Sequence, residues 1–247
     1  QPPPEILRNT QHEKTMTTSN GLPIVVIACK VFQGLLEELM PEGMAEQITF
    51  LDYGLHSVPD KLNWTVQDAI DSIENPSLVM LAYGMCGNGL KDIKSGQHTL
   101  LIPRTDDCIA ILLGSYKKYI AEFYATPGSY YLTKGWLESG SNPLVEYEEL
   151  IEKYGEKSAT WIMDQQYQNY ERLVFVAHNA QDLEKYRPQA QEVAEYCKRW
   201  DFRYEEIRGS DIYIRRLIEV AMALDKKDDE FVVVPPGGKT TLDMFLR

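Results

Sequence analysis

The sequence predicts an α/β fold: a Rossmann-like, mostly parallel sheet or pair of sheets with helices on both faces, in two α/β halves with a cleft between them. Three observations carry that expectation. Runs that are apolar at every position (IVVIA at 24–28, LVMLA at 78–82, LVFVA at 173–177) suit strands buried on both faces. Stretches of helical period stand between them. Proline or glycine closes many of those stretches, as helix ends require.

Taken in order, residues 1–22 are polar and Pro-rich and read as a flexible N-terminal extension. The chain does not open on Met, which reads as a trimmed or incomplete start. A first strand is expected at 24–28. A helix over 31–40 follows, with Phe32, Leu35, Leu36 and Leu39 on one face and Pro41 as its stop. Residues 48–51 form the next strand and 66–73 a short helix ending before Pro76. Strand 78–82 runs into the turn YGMCGNG, and strand 100–102 is stopped by Pro103. Residues 108–121 read as one helix. The aromatic stretch FYATPGSYYLTKGWLES at 123–139 has no helical period and reads as a hairpin or a loop over the sheet edge. Helices are then expected at 143–154, 158–170, 183–200 and 211–224, and strands at 173–177, 203–207 and 231–234. The expected domains are a half over 23–140 that carries the cysteines and a half over 141–247.

Composition narrows the function classes. The chain has 247 residues, 25 Lys+Arg against 37 Asp+Glu, and a formal charge of −12. No basic stripe exists to neutralise phosphates, which argues against nucleic acid. No apolar run reaches the roughly 18–20 residues of a membrane span. Four cysteines without a signal-peptide pattern do not make a secreted disulfide framework, so a cytoplasmic protein is expected.

The positions of the cysteines are more informative than their number. An open parallel sheet binds its ligands beyond the carboxyl ends of its strands. Cys29 follows the first strand, His56 the second, Cys86 the third and Cys108 the fourth. Thiolates and imidazole are zinc ligands, and three protein ligands with one open position describe a catalytic zinc site. A 4Fe-4S cluster on three thiolates, with one iron open, is the alternative. Gly84, Gly87 and Gly89 around Cys86 would let backbone N–H groups approach sulfur or a bound anion, as cofactor-binding positions.

Each of these residues also has a plainer reading. A free cysteine often just fills core space, and Cys197, within AEYCKRW, reads as helix packing. Arg104 and Asp107 are candidates for anion binding and acid/base work, although Asp106 and Asp107 also suit a helix cap. YGMCGNG is neither a Walker A motif nor GxGxxG. Tyr130, Tyr131 and Trp136 suit a pocket wall, core packing or a dimer contact. His12 and His98 read as exposed, His178 as structural. VVVPPGG is either a strand stop or a binding loop. Two thiols acting as a redox pair are a further possibility.

The segments ACKVF, YGLHSVPDKL, LAYGMCGNGL, LIPRTDDCIAILLGSYKKY, TPGSYYLTKGW and FVVVPPGG resemble a bacterial and archaeal family known as domain-of-unknown-function family 1638. Cys29, His56, Cys86 and Cys108 coincide with its motif positions, and Cys197 does not. Family members often have His where Asp106 stands here. The resemblance implies a link to corrinoid-dependent methyltransferases, beside which members tend to occur. The combined expectation is a metal-binding enzyme or accessory factor of one-carbon metabolism. It would act on a small-molecule substrate, with a corrinoid protein or methyltransferase as partner and possible homo-oligomers. The competing expectation is a non-catalytic partner of a corrinoid methyltransferase.

Overall fold

Apolar side chains at every position make a segment costly to leave in water and cheap to bury on both faces. The chain, described here by a computed structural model over residues 5–8, 21–225 and 228–247, uses such segments as central strands. In chain order the strands are β1 (Glu5–Arg8), β2 (Ile24–Cys29), β3 (Ala45–Leu51), β4 (Leu78–Ala82), β5 (Thr99–Pro103), β6 (Ser129–Thr133), β7 (Arg172–Ala177), β8 (Arg203–Arg208) and β9 (Phe231–Val234). The helices are α1 (Gln33–Leu39), α2 (Pro59–Asp71), α3 (Cys108–Leu113), α4 (Tyr116–Ala125), α5 (Lys134–Glu138), α6 (Pro143–Tyr154), α7 (Glu156–Tyr167), α8 (Ala180–Cys197) and α9 (Ile212–Met222).

Two sheets result. The larger has the order β1-β3-β2-β4-β5-β9. Its four inner strands are parallel, and its edges β1 and β9 are antiparallel. All six residues of β2 and all five of β4 are buried. From β2 the chain moves outward to β3, then returns past β2 to β4 and β5. The strand order therefore reverses between β2 and β4, and the carboxyl ends of these two strands form a topological switch point. The smaller sheet, β6-β7-β8, is parallel throughout. The mixed α/β class with mostly parallel sheets is thus as the apolar runs predict.

Sheet membership divides the chain differently from two consecutive halves. One compact unit is Gln1–Tyr116 with Asp211–Arg247, and the other is Lys117–Ser210. The reason is β9, which returns to pair with β5, while α9 packs on β4. Several local expectations change too. Glu5–Arg8, inside the segment expected to be a flexible extension, pairs with β3 as an edge strand. The single helix expected over 108–121 is broken at Gly114, whose φ of +86° ends α3 in the left-handed region. The aromatic stretch is neither hairpin nor loop, since β6 and α5 occupy it and β6 pairs with β7. Helix α2 starts earlier than expected, with Pro59 in its first turn, where the missing N–H costs nothing.

The smaller unit is held by an aromatic core. Cys197 is fully buried there beside Leu173, Phe175 and Phe202. Tyr130 stands edge-on to Tyr167 and Tyr170, with ring centroids at 5.6 and 5.8 Å. The buried Arg172 pairs with Glu122 at 2.9 Å and Glu205 at 2.6 Å. The packing readings of Cys197 and Tyr130 describe these residues, and His178 follows β7 in this same unit.

Candidate metal centre

The site is built from the carboxyl ends of β2, β4 and β5. Cys29 is the last residue of β2, and a 3-10 turn (Lys30–Phe32) leads from it into α1. After β4 the chain leaves the sheet at once. The Tyr83 N–H bonds to the Leu81 carbonyl at 2.9 Å, a three-residue turn that ends the strand. The loop that follows lies against the loop after β5: Met85 N–H donates to the Thr105 carbonyl at 2.9 Å, and Cys86 N–H to that of Asp106 at 2.8 Å.

Gly84 is what lets the two loops meet. A Cβ there would stand 2.5 Å from the carbonyl carbon of Asp107, closer than real side chains come to backbone. Gly89 has a similar duty towards α2, where a Cβ would meet Leu62 Cδ2 at 2.5 Å. Cys86, Gly87 and Asn88 follow one another with φ of +46°, +62° and +75°. For the non-glycine Cys86 the left-handed region costs about 1 kcal/mol. The glycines expected to hold a cofactor thus have a defined role in the chain's own packing.

Cys29, Cys86 and Cys108 are all buried and none is in a disulfide. They lie close enough to act on one another electrostatically. Burial is the main reason the Cys29 thiol is pushed up to about 12, with the Asp52 carboxylate adding to it. Burial likewise raises Cys86, reinforced by Cys29 and Asp107, and Cys108, reinforced by Cys86, Cys29 and Asp107. Backbone N–H groups oppose this: that of Val31 favours the Cys29 thiolate, and those of Cys108 and Gly84 favour that of Cys86. Tyr83, which the sequence reading overlooked, is buried among them and feels all three sulfurs and Asp52. An aromatic residue within a Gly-rich turn just past a buried strand was the available signal.

The other candidates are arranged differently. His56 sits in the 3-10 turn Tyr53–Ser57, and its Nδ1 lies 2.6 Å from the Tyr53 carbonyl. A carbonyl only accepts, so Nδ1 carries the proton and Nε2, 3.4 Å from Ser57 Oγ, is the basic nitrogen. His56 is not among the groups that act most strongly on the thiols. Asp107 caps α3, accepting from the Ile109 N–H at 2.8 Å, so the capping reading holds beside its influence on two thiols. Arg104 donates to the Leu246 carbonyl, and its own carbonyl accepts from Arg247 at 2.9 Å. Its guanidinium thus serves the C-terminal segment. His98 is buried, contrary to expectation, and burial lowers its pKa. Because β9 is antiparallel, PPGG lies at the opposite edge of the sheet, where Gly237 N–H meets the Gly96 carbonyl at 2.8 Å. His12 lies outside the described residues.

The donor chemistry suits a soft metal ion, because three buried thiols with N–H donors nearby can become thiolates once an ion takes the place of their protons. As the side chains stand, no group of three or more His, Cys, Asp or Glu among the described residues closes on one metal position. Closing on an ion would therefore take side-chain rotation.

The family described as Protein of unknown function (DUF1638) matches residues 50–218, more than half of the chain. The chain belongs to this family. The family match takes in His56, Cys86 and Cys108 and begins after Cys29. No curated protein and no solved structure matches the chain. Among the described residues no helix is long and apolar enough to cross a membrane.

Proposed function

We propose that Cys29, Cys86 and Cys108 hold a metal ion, zinc in preference to a 4Fe-4S cluster, in a protein of corrinoid-linked one-carbon metabolism. What carries the reading is the convergence of three unoxidised, buried thiols from three strand ends at the switch point of the sheet. One buried free cysteine is ordinary packing, whereas three from separate loops at one sheet edge make up the donor set of a soft metal ion. Bound zinc would act as a Lewis acid towards a thiol or another nucleophile in methyl transfer.

The chain's own residues have definite tasks in this reading. The N–H groups of Val31, Gly84 and Cys108 stabilise thiolate charge. Binding of the ion would release the protons of Cys29, Cys86 and Cys108 to solvent, with the Asp107 carboxylate, which acts on Cys86 and Cys108, as a relay for theirs. His56, its ring oriented through Nδ1 on Tyr53, offers Nε2 as fourth ligand or as base. The corrinoid link rests on the family resemblance alone, and the partners of this proposal are a small-molecule methyl donor or acceptor and a corrinoid protein.

The test is elemental analysis of anaerobically purified protein. Wild type and Cys197→Ala should carry about one zinc per chain, and Cys29→Ala, Cys86→Ala and Cys108→Ala should lose it. A brown protein with iron and sulfide would move the assignment to the cluster. Equally metal-free wild type and variants would end the metal proposal.

A further inference from the structure

Tyr83 is 2% exposed, and its hydroxyl is buried with no hydrogen-bond partner among the described residues. It stands among the three thiols, and Cys29 is the one with which its hydroxyl interacts directly, though without ordinary hydrogen-bond geometry. Burying a hydroxyl unpaired is unfavourable, and phenylalanine would fill the same space without that cost. A neutral thiol is a poor acceptor, whereas a thiolate is a strong one. The hydroxyl therefore has a partner of the right chemistry within its own site, but only once a sulfur has lost its proton.

We infer that Tyr83 is a positioning residue of the three-thiol site, whose Oη–H donates to the Cys29 sulfur when that sulfur is a metal-bound thiolate. The inference rests on the metal reading proposed above and adds to it a residue that is not a ligand. An outer hydrogen bond of this kind fixes the orientation of its ligand and draws off part of its charge. The three-residue turn at Leu81–Tyr83 supports the role. It carries Tyr83 off β4 at the strand end nearest Cys29, the last residue of the adjacent β2.

The test compares wild type with Tyr83→Phe in two measurements. Zinc affinity is measured by chelator competition, with the ultraviolet charge-transfer band of the cadmium-loaded proteins as a check on the sulfur environment. Thermal unfolding of the chelator-treated proteins is measured beside it. Tyr83→Phe should bind zinc about tenfold more weakly, the scale of outer-shell losses, and should shift the cadmium–thiolate band. Without metal it should melt at the wild-type temperature or above, because it sheds an unpaired buried hydroxyl. A merely structural tyrosine would do the reverse, leaving affinity unchanged and lowering the melting temperature. Wild type and Tyr83→Phe binding zinc equally would overturn this inference and leave the metal centre standing. A lower melting temperature of the metal-free variant would also overturn it. Wild type that binds neither metal would remove the metal reading and this inference together.

Discussion

Two buried tyrosines show how the two units differ. Tyr83 in the larger unit and Tyr167 in the smaller are 2% and 3% exposed. Tyr167 Oη donates to Glu146 Oε2 at 2.6 Å, accepts from Gln166 Nε2 at 3.1 Å and stacks its ring on Trp200 at 5.2 Å. Tyr83 has thiols around it, and its hydroxyl has no hydrogen-bond partner among the described residues. The residue type and the burial are alike, and the supply of polar partners is not. Where the chain pairs its buried polar groups, they serve architecture. Around Cys29, Cys86 and Cys108 the unpaired hydroxyl, the unoxidised thiols and the left-handed backbone at Cys86 accumulate instead, as in sites whose partner comes from outside the chain.

The strongest way to break the contrast is at Gly84. If the two loops of the larger unit are held in contact for the sake of the thiols, Gly84→Val should cost more than any change of comparable size in the aromatic core. Its Cβ would meet the Asp107 backbone at 2.5 Å, and backbone cannot swing aside as a side chain can. We expect a loss of at least about 3 kcal/mol in urea unfolding, the upper range of overpacking, together with loss of zinc. A variant of wild-type stability would mean that the two loops are free to part.

A smaller effect separates the two tyrosines directly. Tyr167→Phe removes a bond to a carboxylate and leaves Glu146 with one partner fewer, so the smaller unit should lose about 2 kcal/mol. Tyr83→Phe should lose nothing. Thermal melts of the two variants side by side give the comparison, and equal losses would erase the distinction between paired and unpaired tyrosines.

Much of this was legible in residue patterns, for identifiable reasons. β4 and β9 have the expected bounds because their apolar runs are cut off sharply, at Tyr83-Gly84 and at Pro235-Pro236. Cys29, Cys86 and Cys108 could be assigned to strand ends because a strand end is a local property. Sheet order is not local: nothing in FVVV says that it will pair antiparallel with β5 and so join the larger sheet. In β6, SYYLT alternates weakly and follows Pro127-Gly128, so its strand character emerges only from pairing with β7. Tyr83 is not legible in the sequence because aromatic residues beside a buried strand are ordinarily core, and its place among the three thiols appears only in the fold.

The finest comparison is between the thiols themselves. An unfolded thiol ionises near its ordinary value of 9.0, whereas burial pushes Cys29 and Cys197 up to about 12 and raises Cys86 and Cys108 as well. Above pH 9 the unfolded chain therefore holds fewer protons than the folded one. The stability linked to these thiols is complete below pH 9 and is lost as pH climbs towards 12, by at most about 1.4 kcal/mol per pH unit for each thiol. Buried tyrosines add their share only from about pH 10. Cys197→Ala should thus flatten the decline of stability between pH 9 and 10 by about 1 kcal/mol or less, with or without zinc. The larger unit should behave otherwise. Zinc would hold its three sulfurs as thiolates in the folded state, so saturation with the metal should remove their part of the decline and leave that of Cys197. Urea unfolding at pH 8, 9 and 10, with and without zinc, measures both slopes. An alkaline decline that zinc leaves unchanged would mean that the three clustered thiols are packed in the same way as Cys197.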